Sequence, residues 1–566
     1  MTTRGRVVQL VTAAALSAWC APVVTAQAPT PPEVIKAQAV LRAGHADSAI
    51  VILTNYFAKN PQATVGKLLL GNAYRQNNNL DKALATFSGI TQPRPTMLQA
   101  KFSAATIYAL QQHADSALRL LRELKGTGAF DMSLAQAAPE FQTFARHPDF
   151  AGVLFQPDDF KNPFVEPVTI LQEWRGEHAG DQFSWIARNI GDVNGDRIND
   201  VVTSAPTYGA TNPSNGRGRV YVYSGRDGKL IWAQTGMPGD ALGTGLEGAG
   251  DVNRDGIGDV IAGAPGSNQA FVYSGRDGRI LLTLTGDSTG SSAGERFGSS
   301  ASGAGDQNDD GVADVIVGAP GFSTGSQGIG RAYVFSGLTG ARLFTLTGEQ
   351  AGDAFGSIVA GDKHGKGTPL LVGAPGTGAT NSGRVVIFDG PTRTKRFAIH
   401  ADSTGSALGA MFTSIVGDVD GDQYPDFYAT DFSDGAKGPS TGRAYVYSGA
   451  TGERLFTVAG EHAGDGFGIG SADVGDVNKD GFDDLLIGAW QYAGAAPSGG
   501  RVYLYSGKDR RVLRTVTGRI PGETLGFDAT GIGDVNRDGV IDLLVTSSWS
   551  NVNGFRSGRM YIISGK

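Results

Sequence analysis

Cysteine is almost missing from this chain of 566 residues: its single copy, Cys20, lies near the beginning, and no other follows. Disulfides are thereby excluded as the device that holds the bulk of the chain together. Beyond the N-terminal segment no apolar run reaches membrane-spanning length. No basic stripe of the kind that marks a nucleic-acid surface is present. The histidines (His45, His113, His147, His178, His364, His400 and His462) fall at no spacing that suggests transition-metal ligation. No serine stands in a nucleophile-elbow context, and the carboxylates outside one recurrent loop are too scattered to mark an acid–base pair. Glycine is abundant at 84 residues, but without the Gly-X-Y period of collagen. Length alone suggests several domains.

Residues 1–26 read as a secretory signal. Arg4 and Arg6 supply the positive start, residues 7–19 are mostly apolar, and Val24-Thr25-Ala26 offers small residues before a cleavage point. Cys20 follows Trp19, where a lipid-modified cysteine would need a small neighbour. The expected location is therefore secreted, extracellular or periplasmic. Calcium there reaches the millimolar range suited to weak extracellular sites.

Residues 33–155 read as a helical domain. Ala46-Asp-Ser-Ala-Ile50, Leu80-Asp-Lys-Ala-Leu84 and Ala114-Asp-Ser-Ala-Leu118 recur at an even interval of about 34 residues. Leu68, Leu69, Ala73 and Tyr74 show the helical spacing between them. A helix–turn–helix period of this length resembles the tetratricopeptide repeat, and three copies are about the minimum that can bury a continuous face. The resemblance implies a protein partner at the helices; the plainer alternative is a helical hairpin array with none. Phe141, Phe144, Phe150 and Leu154 are expected to cap the stack. Asp158, Asp159, Asn162, Pro163 and Pro167 mark residues 156–167 as a linker.

Residues 168–566 repeat one pattern seven times. Asp192, Asp251, Asp306, Asp362, Asp418, Asp476 and Asp534 open seven loops at a nearly constant spacing. Four short β-rich runs per period indicate propeller blades. The fold class is therefore mainly β, a seven-bladed β-propeller preceded by a small all-α array. Six loops place a carboxylate or amide at positions 1, 3, 5 and 9 and an apolar residue at position 7. They are Asp192, Asn194, Asp196, Ile198 and Asp200 in blade 1; Asp251, Asn253, Asp255, Ile257 and Asp259 in blade 2; and Asp306, Asn308, Asp310, Val312 and Asp314 in blade 3. Blade 5 has Asp418, Asp420, Asp422, Tyr424 and Asp426; blade 6 has Asp476, Asn478, Asp480, Phe482 and Asp484; blade 7 has Asp534, Asn536, Asp538, Val540 and Asp542. Hard oxygen donors in this number suit Ca²⁺, with position 7 giving its backbone carbonyl while its side chain enters the core. The bland alternative is a set of Asx turns that bond their own backbone. Blade 4 reads Asp362-Lys-His-Gly-Lys-Gly-Thr-Pro369, with Lys366 at a ligand position and no closing Asp, so it is expected to bind no metal. That leaves about six Ca²⁺ sites.

A Phe-Gly-like opening (Phe297-Gly298, Phe355-Gly356, Phe467-Gly468), the acidic loop, and a Gly-Ala-Pro ending as in Asp314-Val-Ile-Val-Gly-Ala-Pro320 recur in order. Together they resemble the FG-GAP repeats of integrin α-chain propellers and their bacterial relatives. The resemblance implies Ca²⁺ in the loops between first and second strands, and a domain that binds proteins or surfaces without catalytic residues. Departures stand out. Blade 5 gains a carboxylate at Asp420 and loses its glycine to Gln423, and blade 1 has Arg197 in that place. The ending degrades to Thr430-Asp-Phe, Gly488-Ala-Trp and Thr546-Ser-Ser in blades 5, 6 and 7. The lack of an inserted domain and of a membrane span argues against a true integrin role.

The reading that fits best is an exported, calcium-stabilised, non-enzymatic adhesion or recognition protein. Two others stay open: a secreted polysaccharide-acting enzyme such as a lyase, and a scaffold acting through the helices. An enzyme would need an irregular blade to donate its polar residues, and the blades are nearly equal. Loops joining strands 2 to 3 and 4 to 1 carry Tyr208, Phe322, Trp490, Tyr492, Trp549 and Phe555, read as exposed anchors for a protein or glycan ligand. The chain ends in a third strand, so residues 168–174 are expected to complete blade 7 beside residues 559–563.

Overall fold

The computed structural model describes residues 30–566 except 145–146, 213, 288–293, 324–327, 363–364, 366, 377–381 and 404–406; the signal-segment reading, with Cys20, lies outside the described residues. The chain divides into two compact units between Gln156 and Pro157.

The first unit contains three helical hairpins: α1 (Pro32–Arg42) with α2 (Ala46–Lys59), α3 (Lys67–Gln76) with α4 (Leu80–Ser88), and α5 (Arg94–Leu110) with α6 (Ala114–Gly126). The even repeat of these hairpins has a backbone cause. Gly44, Asn78 and Gln112 take positive φ of 88°, 56° and 61°. The next N–H then closes on the carbonyl five residues back: His45 on Val40 at 3.1 Å, Asn79 on Tyr74 at 2.8 Å, His113 on Tyr108 at 2.9 Å. This Schellman closure ends one helix and launches the next. Ala37, Gly71 and Ala105 hold equivalent buried places where helices meet closely. Phe141, Phe144 and Phe150 join the core of α5 and α6, and Leu154 packs at its edge, so the residues after α6 do cover the open end of the stack.

The second unit is a propeller of seven four-stranded antiparallel sheets. Blade 3 is typical, running from the inside outward through Ser300–Gly305, Asp314–Ala319, Arg331–Phe335 and Arg342–Thr347. Second strands such as Asp259–Ala264 and Asp314–Ala319 are buried along their whole length, because neighbouring blades cover both faces. The Phe-Gly pair stands just ahead of the first strand in most blades rather than inside it, and its work is done at the seam. A Cβ on Gly263 of blade 2 would lie 1.9 Å from the Gly298 carbonyl of blade 3, and one on Gly318 would lie 2.0 Å from the Gly356 carbonyl. The two ends of the motif thus touch across adjacent blades, and only glycine allows the approach. Where the ending is degraded, the residue in the glycine's place bonds within its own blade: Thr430 Oγ1 donates to the Phe412 carbonyl at 3.0 Å, and Thr546 Oγ1 accepts the Asp528 N–H at 2.9 Å.

The ring closes where the two ends of the repeat region meet. Ile170–Arg175 runs antiparallel beside Arg559–Ile563 as the fourth strand of blade 7, with Glu173 opposite Tyr561 and Trp174 opposite Met560. The stretch read as a linker differs from that reading. Val165 N–H donates to the Thr517 carbonyl and Arg519 N–H to the Pro163 carbonyl, both at 2.9 Å, so residues 163–165 lie along the outer edge of blade 6. Glu166 accepts the Thr517 N–H at 2.6 Å. Buried Phe164 meets Tyr561 edge-on with centroids 5.0 Å apart. Polar and proline-rich composition suggested a free segment; the backbone groups of an otherwise open strand edge give it partners instead. Beneath it Arg559, 2% exposed, reaches Glu173 at 3.0 Å, the buried Glu523 at 3.5 Å and the Phe160 carbonyl at 3.2 Å. On the inner side Arg188 of blade 1 pairs with Glu247 of blade 2 at 2.6 Å and with the buried Asp528 ahead of blade 7's first strand, tying three blades together.

Removing one member of a buried ion network strands the others. Arg559→Met is expected to lower the unfolding free energy of the propeller by about 3–5 kcal/mol. Arg454→Met, which loses an exposed pair with Asp402 at 2.8 Å, is expected to change it by less than about 1 kcal/mol. Urea unfolding followed by tryptophan fluorescence compares the two; equal losses would contradict the assigned role of Arg559.

Candidate metal loops and the opposite face

Each acidic loop is first shaped by its own Asx turns. In blade 2, Asp251 accepts the Asp255 and Gly256 N–H groups at 3.0 and 2.9 Å, Asn253 accepts Asp255 N–H at 2.9 Å, and Asp255 accepts Ile257 N–H at 3.0 Å. The same set recurs in blades 1, 3, 5, 6 and 7. These bonds curl the chain so that the side-chain oxygens of positions 1 and 3 meet at one backbone N–H, that of position 5, and a carboxylate keeps lone pairs beyond those it uses. Two loop residues must take positive φ, at positions 4 and 6. Blades 2, 3, 6 and 7 put glycine at position 6, whereas blades 1 and 5 put it at position 4, as Gly195 and Gly421. Arg197 and Gln423 therefore mark a relocated glycine, and each takes the left-handed form at 67° and 71°.

The ninth residue of each loop (Asp200, Asp259, Asp314, Asp426, Asp484, Asp542) is fully buried. One oxygen accepts the N–H of position 2, as Asp259 does from Val252 at 2.9 Å. The other accepts the N–H of the glycine that follows the third strand: Gly225 at 3.1 Å, Gly275 and Gly337 at 3.0 Å, Gly449 at 2.9 Å, Gly507 at 3.2 Å and Gly565 at 3.0 Å. This bond locks the loop to the turn between third and fourth strands. The glycine belongs to a Ser-Gly or Asp-Gly pair present in all seven blades; in sequence the stretch Ser224-Gly-Arg-Asp-Gly228 reads as a tight turn, with nothing to show its bond to the acidic loop. Burial pushes the carboxyls of Asp200, Asp259, Asp314, Asp426 and Asp484 up to about 6 and raises that of Asp542 as well.

Blade 5 brings its carboxylates closest. Asp418, Asp420 and Asp426 each place one oxygen within 4.8 Å of the others, the one such group among the described residues. Every donor in the six loops is oxygen, which fits a hard divalent cation and not a thiophilic metal. Position 7 behaves unevenly. Ile198 and Val312 are buried, Ile257, Phe482 and Val540 half-buried, and Tyr424 is 60% exposed. Tyr424 thus departs from the expectation that this side chain enters the core, since burying a phenol hydroxyl is costly without a partner. In blade 4, Lys363, His364 and Lys366 lie outside the described residues. Gly365 and Gly367 bond directly to blade 3: Asp306 N–H donates to the Gly365 carbonyl at 3.0 Å, and Gly367 N–H to the Asp306 carbonyl at 2.9 Å.

At the other end of the blades the six aromatic residues are not exposed anchors. Phe322, Trp490 and Tyr492 are buried, and Tyr208, Trp549 and Phe555 are half-buried. Arginines lie over five of the rings: Arg331 over Phe322 at 3.5 Å, Arg501 over Tyr492 at 4.0 Å, Arg556 over Trp549 and Phe555 at 4.1 and 5.0 Å, and Arg219 over Tyr208 at 5.0 Å. Stacking of a guanidinium on a ring covers apolar surface that the glycine-rich loops leave open. Sequence reasoning missed the arginines that begin six of the third strands. Arg219, Arg331, Arg384, Arg443, Arg501 and Arg559 pair with Glu177 (3.4 Å), Asp287 (3.0 Å), Asp353 (2.8 Å), Asp402 (2.7 Å), Glu461 (2.9 Å) and Glu173 (3.0 Å). The recurrent Gly-Arg ahead of a β-run, as in Gly218-Arg219-Val-Tyr, was the available signal. His178 and His462 sit in equivalent turns, their N–H groups donating to Asp181 at 2.8 Å and Asp465 at 2.7 Å.

Comparison with known proteins agrees with this geometry. Residues 190–223, 247–282, 297–335 and 469–505, in blades 1, 2, 3 and 6, match the FG-GAP repeat, and residues 40–102 match the tetratricopeptide repeat. The chain is similar to integrin alpha-2 of Bos taurus (34% identical over 167 residues, 27% of this chain and 14% of that protein). It is also similar to integrin alpha-4 of Xenopus laevis (30% over 197 residues, 32% and 18%) and integrin alpha-11 of Homo sapiens (33% over 200 residues, 32% and 16%). The chain spans less than a fifth of the length of these relatives.

A divalent cation held at the ninth-position carboxylates would bind with a pH dependence of definite sign. In metal-free protein their folded pKa of about 6 lies above an unfolded value of about 3.9. Between those values the folded state holds more protons, so their contribution to stability falls as pH rises through that window. A bound divalent cation favours the ionised form and reverses the trend. The rise in melting temperature produced by Ca²⁺ is therefore expected to be larger at pH 7.5 than at pH 5. Paired melts with Ca²⁺ and with chelator at each pH check this, and an equal increment at both would contradict it.

Proposed function

We propose that this chain, an integrin α-like propeller of FG-GAP repeats behind a tetratricopeptide region, is an exported, non-enzymatic recognition or adhesion protein. Its propeller is stiffened by Ca²⁺ at one end of the blades and meets a protein or glycan at the other. The observation that carries the reading is the separation of chemistries between the two ends. One end gathers the acidic loops, each tied to its neighbouring turn by the Asp–Gly bond. The other presents a ring of arginine–carboxylate pairs beside half-buried aromatic residues.

In the six loops, side chains at positions 1, 3, 5 and 9 and the carbonyl at position 7 would hold the ion. When bound, Ca²⁺ neutralises carboxylates that otherwise repel one another and fixes the hairpin. A rigid scaffold of this kind suits loops that recognise a surface. The similarity to integrin α chains supports ligand binding, the charge pattern of residues 1–26 supports export, and the tetratricopeptide match supports a protein partner for the helical unit. No helix among the described residues is long and apolar enough to cross a membrane.

Full-length protein applied to arrays of glycans and surface proteins is expected to be retained in Ca²⁺ and released by chelator. On a ligand so found, Tyr208→Ala and Trp549→Ala are each expected to weaken binding by on the order of 2 kcal/mol, about thirtyfold, while each variant still melts cooperatively. Retention that survives chelator, or full affinity in both variants, would contradict the reading.

A further inference from the structure

We infer that the six loops are graded in Ca²⁺ affinity by basic residues built beside some of them and not others, and that blade 5 holds the tightest site. The inference rests on the reading that these loops bind Ca²⁺. The grading residue is the one after the Ser-Gly pair that follows each third strand: Arg226, Arg276, Leu338, Ala450, Lys508 and Lys566 in blades 1, 2, 3, 5, 6 and 7. Its place is fixed by the preceding glycine, whose N–H is bound to the ninth-position Asp and whose Cα lies against the carbonyl of loop position 8. A Cβ on Gly275 would be 1.9 Å from the Gly258 carbonyl, and one on Gly565 would be 2.0 Å from that of Ile541. In three blades the basic side chain leaving this point lands on the fifth-position ligand. Arg226 Nε lies 3.2 Å from Asp196, Arg276 Nε 3.6 Å from Asp255, and Lys566 Nζ 3.6 Å from Asp538. Lys566 also donates to the Asp538 carbonyl at 3.1 Å.

Those cations compete with a metal for the same carboxylate and stand as like charges beside any ion that displaces them. In blade 6 Lys508 lies 4.9 Å over the Phe482 ring, next to its loop. In blade 3 Leu338 is neutral, but Arg254 reaches across from blade 2 and donates to the Asp310 carbonyl at 2.6 Å. Among the described residues no basic side chain reaches a carboxylate or carbonyl of the blade 5 loop itself: Arg396 of blade 4 donates to the Gly449 carbonyl in the adjoining turn at 3.0 Å, Ala450 offers no charge, and Asp422 has the neutral Ser448 hydroxyl as a side-chain partner at 3.4 Å. The loop carries a fourth carboxylate, Asp420, and a further acid from blade 6, Asp483, accepts the Asp418 N–H at 2.9 Å. Calcium affinity in oxygen sites rises with ligand charge. Exposed ion pairs are individually weak, so each basic residue changes affinity a few-fold, and together with the extra carboxylate the gap should reach roughly tenfold.

The test titrates metal-stripped full-length protein with Ca²⁺ against a chromophoric chelator, for wild type, Ala450→Arg and Arg276→Ala. Both substituted positions are exposed turn residues, and melting in saturating Ca²⁺ checks that each variant is folded. Wild type is expected to bind one ion roughly tenfold more tightly than the rest. Ala450→Arg should weaken that class a few-fold without lowering the total, and Arg276→Ala should move one weak ion a few-fold toward it. Six indistinguishable ions in wild type, or a tight class whose affinity Ala450→Arg leaves unmoved, would overturn the grading while leaving calcium binding intact. No binding by any of the three proteins would overturn the calcium reading itself.

Discussion

A propeller made of repeats has an unsatisfied edge wherever its chain begins and ends. Here that edge is closed by one pairing, Ile170–Arg175 against Arg559–Ile563. Every other blade is a local meander whose four strands follow one another in sequence. Blade 7 alone needs residues from both ends of the repeat region. The chain adds two devices at this seam. Residues 163–166 extend along blade 6, and Arg559 binds two carboxylates beneath them. The desolvation of Arg559 and Glu523 is tolerable only while all partners stay in place. Strand pairing, edge cover and buried charge therefore stand or fall together.

The rest of the ring depends on close approach between blades. The Phe-Gly opening and the Gly-Ala-Pro ending are two halves of one contact, made between neighbouring repeats. Their separation in sequence is why their joint purpose is invisible in any single copy. The acidic loop works on the same principle at the other end of the blade. Its ninth residue looks like one more metal ligand, yet it also anchors the third-to-fourth turn through a glycine N–H. A cation held by the loop would thus be coupled to blade geometry through a single buried carboxylate.

Periodic features were legible in the sequence. The short period of the Ala-Asp-Ser-Ala-like segments located the helical hairpins, and the longer, nearly constant period of the acidic loops located seven blades. The missing fourth strand of the last blade pointed to the strand that replaces it. Features set by contacts between distant residues were not legible. Phe322, Trp490 and Tyr492 looked exposed because they follow strands in glycine-rich loops, but arginines stacked over Phe322 and Tyr492, and the rings of Phe527 and Trp549 packed against Trp490, bury them. The segment around Pro163 looked like a linker because its partners on blade 6, Thr517 and Arg519, lie near the far end of the chain. Gln423 looked like the loss of a glycine because the compensating one, Gly421, stands two positions earlier.

The closure is tested most directly by comparing propellers that begin at Pro157, at Pro167 and at His178. The first keeps the closing strand and the edge cover, the second keeps the strand alone, and the third lacks both. The first should melt cooperatively at the temperature of the propeller in the full chain, the second lower, and the third lower still or with aggregation from its bare edge. Identical melting of all three would contradict the claim that this pairing holds the ring together.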